Sequence, residues 1–159
     1  MSETQQVQHL SVKTKPKYQI GRTGRVVVMR LNDGDDLREN ILEVARDEDI
    51  GNAVVYVLGG LKGGRVVVGP KEAEPPIIPV WREIAEPHEI IAIGTIFKQD
   101  NHPALHIHGA FGRGDSVKAG CLRELSDTFL VAEVIIMEIE GINARREIDP
   151  ATGFALLKL

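Results

Sequence analysis

The 159-residue sequence predicts an α+β domain: a mainly antiparallel sheet of six to eight strands with one main helix packed on a face. Two observations carry this. Runs rich in β-branched residues recur between Gly-, Asn- and Pro-containing turns, and only one segment carries an apolar stripe of helical period. No internal linker or repeat interrupts them, so residues 20–159 are expected to form a single domain behind a disordered lead-in over 1–19.

The elements follow in order. Arg25–Leu31 reads as a strand, Asn32-Asp33-Gly34 as a turn, and Asp35 or Asp36 as the cap of a helix. Leu37, Ile41, Val44 and Ala45 form that helix's apolar stripe, which fades near Asp49. Ala53–Leu58 is a buried strand that Gly59-Gly60 should end, with Gly59–Gly64 as a hairpin turn before a short strand at Arg65–Val68. That glycine run lacks the Gly-Lys-Ser/Thr ending of a phosphate loop. Four prolines between 70 and 79 force a loop, and Trp81 after it is most simply a core or interface plug. Glu89–Phe97 is a strand in which Gly94 marks a bulge or a close approach. Ala104–Phe111 and Val117–Leu122 flank a Gly-rich turn. Thr128–Glu140 is the longest β pattern, and a turn at Asp149–Gly153 precedes a short apolar end.

Composition excludes several classes. With 43% hydrophobic residues the chain can build a core, and one cysteine excludes an internal disulfide framework. Apolar runs fall well short of the roughly 20 residues of a membrane helix, and no secretory or transit pattern opens the chain. A soluble cytoplasmic protein without membrane contact is therefore expected. Aromatics at 4% argue against a base-stacking surface. The net charge is −4, yet residues 1–30 hold six bases against one acid. This basic arm (Lys13, Lys15, Lys17, Arg22, Arg25, Arg30) either touches phosphate or is simply a solvated terminus.

Four of the five histidines lie between 88 and 108, two of them as His106-Ile107-His108. Residues two apart in a strand share a face, so this pair is a ready bidentate arrangement for a metal. If Gly114-Asp115 forms a two-residue hairpin turn, with Gly where a type II′ turn wants it, His108 lies opposite Cys121. Directly opposed residues are about 4.5–5.5 Å apart. His106, His108 and Cys121 then converge, and two imidazoles with one thiolate suit zinc or another divalent transition metal, with a fourth position open. The same residues also read as a small buried cysteine beside two hydrogen-bonded histidines, and a turn one residue longer sends Cys121 to the opposite face. The Arg113-Gly114-Asp115 tripeptide is turn chemistry. His88 and His102, each beside a proline, are expected at the surface. Ser116 and Ser126 lack a base and an orienting acid, so nucleophilic hydrolysis finds no support.

With these residues in view, the chain resembles the plant-and-prokaryote-conserved domain family from about residue 20 onward. The resemblance is carried by Pro103-Ala104-Leu105-His106-Ile107-His108-Gly109-Ala110. Supporting it are Arg30–Leu37, Val57-Leu58-Gly59-Gly60-Leu61, Glu89–Ile96, Ala119-Gly120-Cys121-Leu122, and Arg146 with Asp149 and Thr152-Gly153. The family pattern has Gly-Gly-His-Leu where this chain reads Ala119-Gly120-Cys121-Leu122, so one zinc ligand replaces another. The resemblance implies an α/β fold assembling as a homotrimer that mediates protein contacts. In plant members the domain follows an AT-hook, Arg-Gly-Arg-Pro, which this chain lacks; Gly21-Arg22-Thr23-Gly24-Arg25 is its nearest approximation. Direct DNA binding is therefore not expected. Three functions compete. The first is a trimeric metal-binding interaction or ligand-binding module, tied to transcription or DNA-associated complexes and not itself an enzyme. The second is a zinc-dependent lyase or hydrolase acting on a carbonyl or carboxylate substrate, by likeness to acetolactate decarboxylase, with Glu89 and Arg82 as candidate proton shuttle and anion clamp. The third is DNA binding through the basic arm.

Overall fold

The computed structural model describes residues 15–74 and 76–159. Most of the expected lead-in, with Lys13 of the basic arm, lies outside the described residues, as does Pro75 of the proline-rich loop. Residues 15–21 have no regular structure.

The described residues form ten strands and one helix. They are β1 (Arg22–Asn32), α1 (Leu37–Asp47), β2 (Asn52–Leu61), β3 (Gly64–Pro70), β4 (Pro79–Ile84), β5 (His88–Gln99), β6 (His102–Arg113), β7 (Ser116–Glu124), β8 (Thr128–Glu140), β9 (Arg145–Ile148) and β10 (Ala155–Lys158). The sheet is mainly antiparallel, as expected, but it dominates more than the expected α+β layering of six to eight strands allowed. The extra strands are β4, hidden behind the prolines, and the short tail hairpin β9–β10. Eight strands run in the order β1-β8-β2-β5-β6-β7-β3-β4. β9 pairs with β10 and meets β5 through the single parallel pair Lys98↔Arg145.

Two expectations about Gly59–Gly64 fail for one reason. β2 does not end at Gly59-Gly60 but continues to Leu61, passing a bulge opposite β8. Gly59 adopts φ 144° there, and a Cβ on it would lie 2.4 Å from the Val131 carbonyl oxygen. Nor is 59–64 a hairpin turn. β3 pairs with β7 and β4 rather than with β2, so this segment carries the chain across the sheet. Gly94 causes no register shift, but a Cβ there would sit 3.1 Å from the His106 carbonyl oxygen. It marks a close approach, not a bulge.

One face of the sheet carries the core. Val55, Val57, Ile90, Ile96, Ile107, Phe111, Leu122, Val134 and Ile136 are all buried, and the helix packs on this face through Leu37, Ile41 and Ala45. Asp36 caps the helix: its Oδ1 accepts from the Glu39 amide at 2.8 Å and from the Ser126 hydroxyl at 3.0 Å. Its Oδ2 accepts from the Ser126 amide at 3.2 Å, while the Ser126 hydroxyl accepts from the Arg38 amide at 3.1 Å. Ser126 is fully buried, so its polar atoms depend on this carboxylate. Asp36→Ala is expected to destabilise the protein by about 2–3 kcal/mol, a lost cap plus an unsatisfied buried amide. Urea unfolding measures it.

The opposite face is apolar too, where a solvated antiparallel sheet would be polar. Register aligns one row of outward side chains across eight strands: Val28, Ile135, Tyr56, Ile93, His108, Cys121, Val67 and Trp81. Two of the three metal candidates, His108 and Cys121, sit in this row, and His106 lies two residues along β6 on the same face.

Candidate metal centre

β6 and β7 form a hairpin whose turn is Gly114-Asp115, and Gly114 takes a positive φ of 56°. The register pairs Arg113 with Ser116 and His108 with Cys121. His106 and His108 project from the outward face of β6 because Leu105, Ile107 and Phe111 occupy the inward one. Cys121 is buried on β7. A Cβ on the adjacent Gly120 would lie 2.3 Å from the Val67 carbonyl oxygen, so glycine permits β7 and β3 to close beside the cysteine.

One ligand atom from each of His106, His108 and Cys121 lies within 4.8 Å of the others. The two Nε2 atoms are 3.0 Å apart, and the rings are nearly perpendicular at 79°. Zn–N bonds of about 2.0–2.1 Å at a tetrahedral angle separate two nitrogens by about 3.3 Å. Two nitrogens and a sulfur of this spacing fit a divalent transition metal with little movement. Such a metal, when bound, supplies Lewis acidity at its fourth position.

The surroundings set the protonation of the ligands. Removal from water, then the repulsion that a protonated His106 would meet from Arg146, His108, Arg123 and Arg38, lowers the His106 pKa to about 4. His106 is therefore neutral, as a ligand must be, across the physiological range. Burial pushes the Cys121 thiol up, against the pull of Arg123, Arg38 and Arg146 toward thiolate. Arg38 donates from Nη1 to the Leu122 carbonyl at 3.0 Å, and Arg146 from Nη2 to the Thr95 hydroxyl at 2.9 Å. Thr95 pairs with His106 across β5 and β6.

The lowered His106 pKa has a consequence for stability. Between about pH 4 and 6.5 the unfolded chain binds more protons at this residue than the folded one, so stability rises with pH across that window and is lost on acidification. Metal-free protein should melt several degrees lower at pH 5 than at pH 7. His106→Gln should flatten that slope, measured by calorimetry.

Other expected positions fall elsewhere. Glu89 lies opposite Gly112, and Arg82 lies opposite Val66 with its Nη1 on the Trp81 carbonyl at 2.8 Å. Neither lines the cavities around the trio. His88 is buried rather than exposed: Nδ1 is 2.6 Å from the Glu86 carbonyl oxygen and Nε2 is 3.3 Å from Lys118 Nζ. Its strand phase, shared with Ile90 and Ala92, turns it inward. His102 is exposed, as expected. Sequence reasoning missed Arg38, Arg123 and Arg146 as neighbours of the trio, since they come from three separate elements.

A mainly antiparallel sheet with one helix packed on a face and a His-X-His/Cys hairpin on its outward face defines the class of the protein. The sequence profile of the Plants and Prokaryotes Conserved (PCC) domain matches residues 18–140, and the chain belongs to that family. A metal-containing protein from Archaeoglobus fulgidus is similar at 26% identity with a TM-score of 0.79, over 91% of this chain and 100% of that one. A plant- and prokaryote-conserved protein from Pyrococcus horikoshii shares the fold at 23% identity and a TM-score of 0.78, over 91% and 98%. A Ralstonia eutropha protein designated a DNA-binding candidate shares it at 21% and 0.70, over 83% and 90%. A comparison with curated proteins finds no match. Among the described residues no helix is long and apolar enough to cross a membrane.

Proposed function

We propose that the protein is a trimeric metal-binding module that holds a divalent transition metal, zinc by its donor set, on His106, His108 and Cys121. It presents that centre to a ligand or protein partner rather than turning over a substrate with its own acid–base groups. The observation that carries this is the convergence of three ligand atoms within 4.8 Å on a hairpin built to bring them together. The metal-containing relative from Archaeoglobus fulgidus supports it. Among the described residues no carboxylate lines the cavities beside the trio, which speaks against a proton shuttle there. Elemental analysis of the purified protein, with light scattering, tests both halves. One metal per chain and a trimer are expected; a metal-free monomer would overturn the reading.

DNA contact through the basic arm is disfavoured by its own pairing. Arg25 donates from Nε to Glu138 at 2.8 Å and lies 3.2 Å from Glu48, and Arg22 lies 2.8 Å from Glu140. Two of the arm's six cations are thus already neutralised. A gel shift at physiological salt is expected to show no complex, and deletion of residues 1–24 to change nothing.

A further inference from the structure

A cavity of about 670 Å³ opens beside the trio, lined by His108 and Cys121 and by the apolar Val67, Ile77, Pro79 and Trp81. Its volume is that of a small-molecule site. The Trp81 wall is braced: the Arg65 guanidinium stacks on the ring 4.5 Å from its centroid.

Arg123 lines this cavity. It also lines a neighbouring one of about 320 Å³ together with His106, Arg146 and Phe154, and Phe154 too is shared by both. The two spaces thus adjoin at a guanidinium. Among the described residues no Asp or Glu lines either of them, and neither Arg123 nor Arg146 has a carboxylate partner. The Arg146 Nε is buried and has no hydrogen-bond partner, although its Nη2 reaches Thr95. A buried, unpartnered donor of fixed positive charge is an uncompensated group that an anion would satisfy. A divalent metal on one thiolate and two neutral imidazoles adds a further net positive charge. A cation among apolar walls describes a site for an amphipathic anion.

We propose that this cavity binds an apolar monocarboxylate, its chain along Val67, Ile77, Pro79 and Trp81 and its carboxylate on Arg123, with Arg146 as the second cation. This names the ligand class of the metal centre and in that respect rests on the metal reading, but its anchor is an arginine and its walls are independent of the ions. A planar carboxylate matches the guanidinium fork, which an alcohol or an amine of the same chain does not.

Isothermal titration of octanoate, octanol and octylamine into the full-length protein, zinc-loaded and after chelation, tests the proposal. Zinc content is measured on the same samples. Octanoate is expected to bind, octanol to bind more weakly, and octylamine not to bind. Arg123→Gln should weaken octanoate about tenfold or more with Arg123→Lys recovering part of the loss, and Trp81→Ala should weaken octanoate and octanol alike. Arg123 is exposed, so its variants leave the core intact. No octanoate binding to protein that holds its zinc would overturn the proposal and leave the metal reading standing. Absence of zinc, with Arg123-dependent octanoate binding retained, would overturn the metal reading and support the proposal. Equal affinity for octanoate and octanol, or no effect of Arg123→Gln, would also overturn it.

Discussion

Cys121→Ala and His106→Ala are each expected to purify with little or no metal, where the unaltered protein is expected to carry one per chain. Among the described residues three ligating side chains converge, so loss of one leaves two. Removing even a group that merely orients a ligand costs about 10–100-fold in metal affinity, and removing a ligand costs at least that. The fold should survive. Cys121 is small, so alanine vacates little volume, and His106 lies on the outward face rather than in the core. Circular dichroism and the unfolding midpoint of the chelated proteins check this. Cys121→His, the residue the family pattern places there, should keep metal, whereas Cys121→Ser should not, since a neutral hydroxyl is a poor zinc donor. Metal content unchanged in both alanine variants would leave the hairpin geometry without a chemical role.

Much of this centre was legible because a two-residue turn fixes a register. Gly114-Asp115 determines that His108 faces Cys121, and strand alternation then places His106 on the same side. Thr128–Glu140 and the Asp36-capped helix were readable for similar local reasons, β-branched alternation in one and a capped apolar stripe in the other. What stayed hidden depends on tertiary neighbours. The crossing of Gly59–Gly64 between distant strands is settled by which partners β3 finds, not by its glycines. β4 was masked by the prolines that precede it, although its pairing with β3 is what brings Trp81 over Val67 at the cavity wall. His88 was misjudged by giving its proline neighbour more weight than its phase with Ile90 and Ala92, a signal present in the sequence. The three arginines around the trio sit on α1, β7 and β9, and nothing in their spacing announces the meeting.

Leu58→Glu and Ile91→Glu together should convert the proposed trimer to a monomer of 17.5 kDa without unfolding it. Leu58 and Ile91 are cross-strand neighbours on the outward face of β2 and β5, 53% and 65% exposed in the single chain. Around them Val28, Tyr56, Ile93 and Ile135 are exposed as well, between 40% and 76%. Isolated exposed apolar residues need no explanation, but a contiguous apolar face on a sheet does. Water would favour alternation of apolar and polar sides, and the strands instead carry apolar side chains on both. Self-association in the proposed trimer would cover such a face. Glutamates at the edge of a solvated face change stability by no more than about 0.5 kcal/mol. The same glutamates in a covered face must be desolvated without a partner, at a cost of several kcal/mol each, enough to dissociate a trimer at micromolar concentration. The two outcomes are therefore far apart, and light scattering separates them directly. Neither residue pairs in register with His106, His108 or Cys121, so the monomeric variant should keep its metal. A variant that stays trimeric would place the contact elsewhere on the molecule; loss of metal on dissociation would instead mean that a neighbouring subunit completes the centre.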